Sequence, residues 1–229
     1  MIPLFLGLLG CASGTGAAPT SSLDPQFSEW WHDGKAELSG YSLTVDRYGA
    51  RSVGTAVLIY VTEPFSKSKH VKVDDPAKNP RDVASVLKLN FVRTFQTGIY
   101  DYNTMGSTFA ELPALNLMKS AFTSAEWCGH VYEQLDVSKG RLTYDYASYF
   151  EGESAKGTEP VPPGGMVEDE LFVKLRGFDG PYLAMGEGRS LPFLASAFYR
   201  RLAHHGLEWG EVTIRRLPDA EVAIGTVAI

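Results

Sequence analysis

Between residues 36 and 150 apolar and polar side chains alternate with a period of two, and no other feature constrains the fold as tightly. Leu142, Tyr144 and Tyr146 interleave with Thr143, Asp145 and Ala147, and Phe150 extends the row. Tyr41, Leu43 and Val45 share one phase within 36–45, and Leu87, Leu89, Phe91 and Phe95 share one within 85–95. Residues 53–62 are a β-branched and aromatic run, and 98–109, 121–135 and 141–150 are also strand-like. Successive side chains of an extended chain point to opposite faces, so such rows mark strands with one buried face. Turn clusters separate them at Arg47-Tyr48-Gly49, Asp74-Asp75-Pro76, Asn79-Pro80 and Ser138-Lys139-Gly140. Nothing before residue 150 has a helical period. The sequence predicts a mainly β protein whose antiparallel meander reduces its exposed edges by curling into a barrel or half-barrel.

The last third changes character. Glycine and proline at 152, 157, 160 and 162–165 predict a loop over 151–165. Residues 166–176 predict a short helix, with acids at its start and bases at its end as the helix dipole favours. A second helix is expected over 191–204, with Pro192 in its first turn and Gly206 as its stop. Strand character returns over 207–216 and 220–229. An apolar strand running into Val227-Ala228-Ile229 suggests a chain shortened from a longer protein with further strands.

Residues 1–10 carry no charge and are nearly all apolar. A bilayer span needs about 20 apolar residues, so this run reads as the apolar part of a signal peptide. Leu8-Leu9-Gly10-Cys11 resembles the lipobox of bacterial lipoproteins, in which the signal is cleaved before a cysteine that carries lipid. The pattern departs from that signal in lacking a basic residue ahead of the apolar run. Small and polar residues over 11–26 then read as a flexible tether, and 27–229 as a single mainly β domain. The expected address is the cell envelope, anchored to the membrane through lipidated Cys11 and facing the periplasm. Ala12 after the cysteine would favour the outer membrane in a bacterium with two membranes.

Composition excludes several classes. With 21 Lys and Arg against 27 Asp and Glu the net charge is -6, which argues against nucleic acid as a partner. Two cysteines exclude a disulfide scaffold. The 44% hydrophobic content over 229 residues is enough for a core without such staples.

Several segments carry a resemblance: Asp33 to Glu37, Tyr48-Gly49, Gly54 to Val57 with Val61-Thr62-Glu63, Leu87 to Asn90, Thr97 to Tyr100, Glu126 to Tyr132, and Ser148 to Glu153. In that order, across roughly 29–180, they resemble a family of uncharacterised bacterial cell-envelope proteins often labelled "septum formation inhibitor Maf". True Maf proteins are cytosolic nucleotide pyrophosphatases of α/β fold, which fits neither the address nor the strands here. The resemblance implies an envelope protein and brings no catalytic residues.

The densest chemistry lies in Glu126-Trp127-Cys128-Gly129-His130. On one continuous strand Glu126, Cys128 and His130 would share a face, as orienter, nucleophile and base of a thiol enzyme. The same row also fits the wet face of a half-buried strand, with Cys128 as a small apolar residue. A Cys-x-His pair is too few ligands for zinc, and the adjacent His204 and His205 would diverge on a helix, so no metal or cofactor is expected. Lys67, Lys69, His70 and Lys72 read as a basic strand edge. Tyr100, Tyr102, Tyr132, Tyr144 and Tyr146 are the expected ligand-facing residues of the curved sheet. The functional expectation is a lipid-anchored binding or structural module for a lipid, another apolar ligand or an envelope protein. The alternative is an envelope enzyme using Cys128 with His130.

Overall fold

The computed structural model describes residues 26–177 and 183–219. The expected signal peptide, Cys11, the tether and the strand over 220–229 lie outside the described residues. A short helix α1 (Phe27–Trp31), which the sequence did not announce, precedes β1 (Glu37–Arg47), β2 (Ala50–Ser66), β3 (Val83–Thr97), β4 (Tyr100–Glu111), β5 (Asn116–Glu126), β6 (Gly129–Ser138), β7 (Arg141–Ser148) and β8 (Ala155–Pro160). These strands form one antiparallel sheet in chain order, the expected meander, and β1 and β8 are not paired, so no closed barrel forms among the described residues. The chain continues through β9 (Met166–Val167), α2 (Glu168–Gly177), β10 (Gly188–Leu194), α3 (Ala197–Leu202) and β11 (Trp209–Arg215). The last strands make a small mixed sheet, with β10 parallel to β9 and antiparallel to β11. No helix among the described residues is long and apolar enough to cross a membrane.

Three expectations are corrected. The strand foreseen over 121–135 is a hairpin, since Glu126 pairs with Gly129 across a turn at Trp127-Cys128. The ring of Tyr149 occupies the space of a Gly129 side chain, where an added Cβ would sit 2.3 Å from it. The loop foreseen over 151–165 contains β8, in which Gly157 and Pro160 are tolerated because the strand lies at the edge of the sheet and pairs only with β7. The helix foreseen over 191–204 is half strand. Leu194 pairs with Trp209, and α3 starts only after Ser196, whose hydroxyl accepts from the Phe198 amide.

Antiparallel register puts directly opposed residues on one face. One face of the large sheet carries Leu58, Tyr60, Leu87, Leu89, Phe95, Tyr102, Phe122, Leu135 and Leu142, all buried. The helices and the small sheet lie over this face. Val173 of α2 joins Phe27, Leu58, Tyr60 and Leu89; Phe198 of α3 joins Val45, Phe95 and Phe122; Val167 and Leu194 join Leu117, Leu135 and Leu142. Burying an apolar side chain of this size contributes roughly 1.5–3 kcal/mol, so these clusters hold the layers together. The opposite face is covered only locally. There Phe65, Val86, Phe109 and Met118 cluster, and the His70 ring stacks on Phe65.

Candidate functional site

At the β1 edge the covering layer does not close on the sheet. A cleft of about 620 Å³ opens between Leu43 and Val45 of β1, Phe91 and Arg93 of β3, Phe172 of α2, and Phe198 and Leu202 of α3. A second chamber of about 450 Å³ shares Leu43, Phe91 and Phe172 with it and continues to Leu58, Tyr60 and Leu175. The sequence builds this wall directly, because Tyr41, Leu43 and Val45 of β1 and Phe91 of β3 face inward and α2 presents Phe172 to Phe91, ring centroids 5.6 Å apart. Each chamber has a size typical of small-molecule sites.

The rim is charged. Arg47 Nε donates to Tyr102 Oη at 3.2 Å, its Nη2 donates to Tyr48 Oη at 2.9 Å, and its Nη1 donates to the Leu202 carbonyl. Arg176 pairs with Glu37 at 3.0 Å at the far end of the second chamber. Between them Arg93 is buried, its Cζ 3.5 Å from the Phe91 ring centroid and 4.2 Å from that of Phe198. Burial lowers the Arg93 pKa, opposed by the charges of Asp169, Tyr199 and Glu168. Glu168 Oε2 accepts from the Ser196 amide at 2.9 Å, and burial pushes its carboxyl above the ordinary range. Asp169 accepts from the Ser196 hydroxyl at 2.8 Å, and burial likewise raises it. Tyr60, behind the second chamber, is pushed up to about 12, mainly by burial.

Behind α3 lies a buried ionic cluster. Glu133 Oε2 of β6 accepts from Arg200 Nη1 at 3.0 Å and lies 2.9 Å from Arg201 Nε, while its Oε1 accepts from Arg200 Nη2. The Cζ of Arg201 lies 4.3 Å from the Tyr146 ring centroid. This cluster ties the helix that roofs the cleft to the middle of the sheet.

The residues expected to form a thiol site do not share a strand face. Crossing the turn at Trp127-Cys128 inverts the alternation, so Glu126 faces inward, buried, with Arg47 Nη2 3.9 Å away. Cys128 is exposed in the turn, and His130 is exposed on the outer face. The five expected tyrosines do not converge either. Tyr102 is buried beside Arg47, and Tyr144 and Tyr146 stack on each other at 5.8 Å. Tyr100 meets Trp127 edge to face at 6.5 Å. Tyr132 lies on the outer face, where its hydroxyl donates to Gln134 at 2.6 Å. None of the five lines the cleft. The basic cluster is also resolved differently, because His70 Nδ1 sits 2.8 Å from Asp136 Oδ1 and is not a free edge charge.

The residues that sequence reasoning missed are Arg93, Phe172 and Phe198. A signal for Arg93 existed: it interrupts the inward row Leu87, Leu89, Phe91, Phe95 with a charge. Phe172 and Phe198 had none, because their place depends on how distant helices dock. No group of three or more His, Cys, Asp or Glu side chains fit to hold a metal occurs among the described residues. Comparison with family models, with curated proteins and with solved structures finds no match for this chain.

Proposed function

We propose that this protein is a lipid-anchored module of the bacterial cell envelope that holds an apolar ligand in the cleft between β1, β3, α2 and α3. On this reading it belongs with the uncharacterised envelope family it resembles. Cys11 carries the anchor, and the large sheet curls as a half-barrel around the helices. The apolar cleft carries the proposal: aromatic and aliphatic side chains line a space of ligand size in which the covering helices leave the sheet open. The one-sided cover supports a curled sheet, since helices lie over one face while the other is covered only in patches. So does Gly54, where an added Cβ would meet the Thr94 carbonyl oxygen at 2.1 Å, because such close approach of neighbouring strands marks a bend that only glycine admits. An anchor with a flexible tether would keep such a module beside a membrane, where apolar ligands are found.

The test is native mass spectrometry of delipidated protein incubated with bacterial envelope lipid extract. A bound species that is lost when the cleft is filled by Leu43→Trp supports the proposal. Protein that stays empty, or that binds equally with Leu43→Trp, refutes it.

A further inference from the structure

Four arginines are buried among the described residues: Arg47, Arg93, Arg200 and Arg201. A guanidinium presents five N–H donors and stays charged, so a buried one is normally matched with acceptors. Arg47 donates to two phenols and a carbonyl. Arg200 and Arg201 both engage Glu133, and Arg200 also donates to the Ala195 carbonyl at 2.8 Å. Arg93 alone of the four has no hydrogen bond or ion pair from its guanidinium to any described residue, although it is only 5% exposed. Its Cζ lies over the rings of Phe91 and Phe198, which attract the cation but offer no oxygen acceptor. That leaves the N–H edge to find acceptors, and Arg93 lines the cleft.

The nearby acids are already committed. Glu168 and Asp169 act on Arg93 only at longer range, and both accept hydrogen bonds from Ser196. Their presence also limits the charge a ligand can bring, because Glu168 lines the same cleft and a dianion there would meet like charge. One planar guanidinium matches one carboxylate through a two-pronged pair of N–H···O bonds. From Arg93 the apolar path runs over Phe91 and Phe172 into the second chamber, towards Leu58 and Leu175. The cation at its far end, Arg176, is already paired with Glu37.

The geometry points to an amphiphilic monocarboxylate, a fatty-acid-like molecule, as the occupant, with its carboxylate on Arg93 and its chain in the second chamber. This rests on the cleft being a ligand site, so the experiment separates the two claims. Calorimetric titration of delipidated protein with laurate and with 1-dodecanol compares one chain with and without the charge. Laurate is expected to bind at least about ten-fold tighter, the worth of a charge-assisted hydrogen bond. Arg93→Met should erase that advantage while leaving dodecanol affinity within about two-fold, and Arg93→Lys should retain part of it. Equal affinity of the wild type for both probes would overturn the carboxylate inference and leave the apolar site standing, without needing any variant to fold. A laurate advantage that survives in folded Arg93→Met would overturn the assignment to Arg93. Dodecyl phosphate binding more tightly than laurate would overturn the choice of a single charge. Binding of none of the three would sink the ligand site and this inference together.

Discussion

At the scale of single residues, the charges under α3 set the sharpest expectations. Glu133 is 1% exposed and is held by two arginines that are buried as well. Removing one partner of a buried pair strands the others, so Glu133→Ala is expected to lower stability by about 3–5 kcal/mol in urea titration. A loss below about 1 kcal/mol would show that the cluster is solvated. The acids of α2 predict an unusual pH response. Burial raises Asp169, Glu168 and Glu170, with Ser196 opposing it at the first two and Lys174 at the third. Above the ordinary carboxylate pKa of about 4 and up to those raised values, the folded protein keeps protons that the unfolded chain releases. Stability therefore falls as pH rises through that window. Asp136 acts in the opposite direction. Burial pushes it up, but hydrogen bonds from His70 and Gln134 outweigh this and hold it low, so its contribution is lost only as pH falls through that depressed value. The melting temperature should rise as pH falls through that window towards about 4, and Asp169→Asn should flatten the rise. A calorimetric profile that is flat or falling towards acid in the wild type would contradict this.

At the scale of elements, period-two alternation located most of the large sheet but could not locate its turns. The segment 121–135 alternates almost without interruption, yet two turn residues divide it, and the parity change sends Glu126 inward and His130 outward. A strand pattern carries no mark where its phase shifts by an odd number unless a glycine or proline is read as a hinge, and here Gly129 was that hinge. The single strand face foreseen for Glu126, Cys128 and His130 is absent for this reason. Pro192 misled in another way: proline suits a first helical turn and also a strand position, and pairing of Leu194 with Trp209 decided for the strand. The connection between β2 and β3 also acquires a role that its lysines did not suggest. His70 stacks on Phe65, pairs with Asp136, and its carbonyl accepts from Lys119 Nζ at 3.2 Å, so the connection is pinned across β5 and β6. Replacing His70 with alanine removes the stacking and the hydrogen bond to Asp136 together. Trypsin is then expected to cut at Lys69 and Lys72 several times faster, with the rest of the sheet resistant. Unchanged cleavage rates would show that the backbone bonds of this connection suffice.

At the scale of the whole molecule, the large sheet depends on what lies over its inner face. Leu87, Leu89, Leu135 and Leu142 are at most 2% exposed only because α1, α2 and the small sheet cover them. A protein ending at residue 160 would expose that row. It is expected to bind anilinonaphthalene sulfonate strongly and to lose cooperative unfolding. A soluble, cooperatively unfolding fragment would mean that the sheet is self-sufficient. By itself the sequence determined that the protein is an antiparallel meander, because side-chain alternation is local and a strand with one apolar face must bury it. It also carried the phase of the inner row of β3, and with it the oddity of a charge at Arg93. Only the tertiary structure decided that β1 stays unpaired with β8 among the described residues, that α2 and α3 come back over the sheet, and that Phe172 and Phe198 stand beside Arg93. Those contacts join residues about 80 to 100 positions apart in the chain, and no local pattern records which distant helix will cover which part of a face.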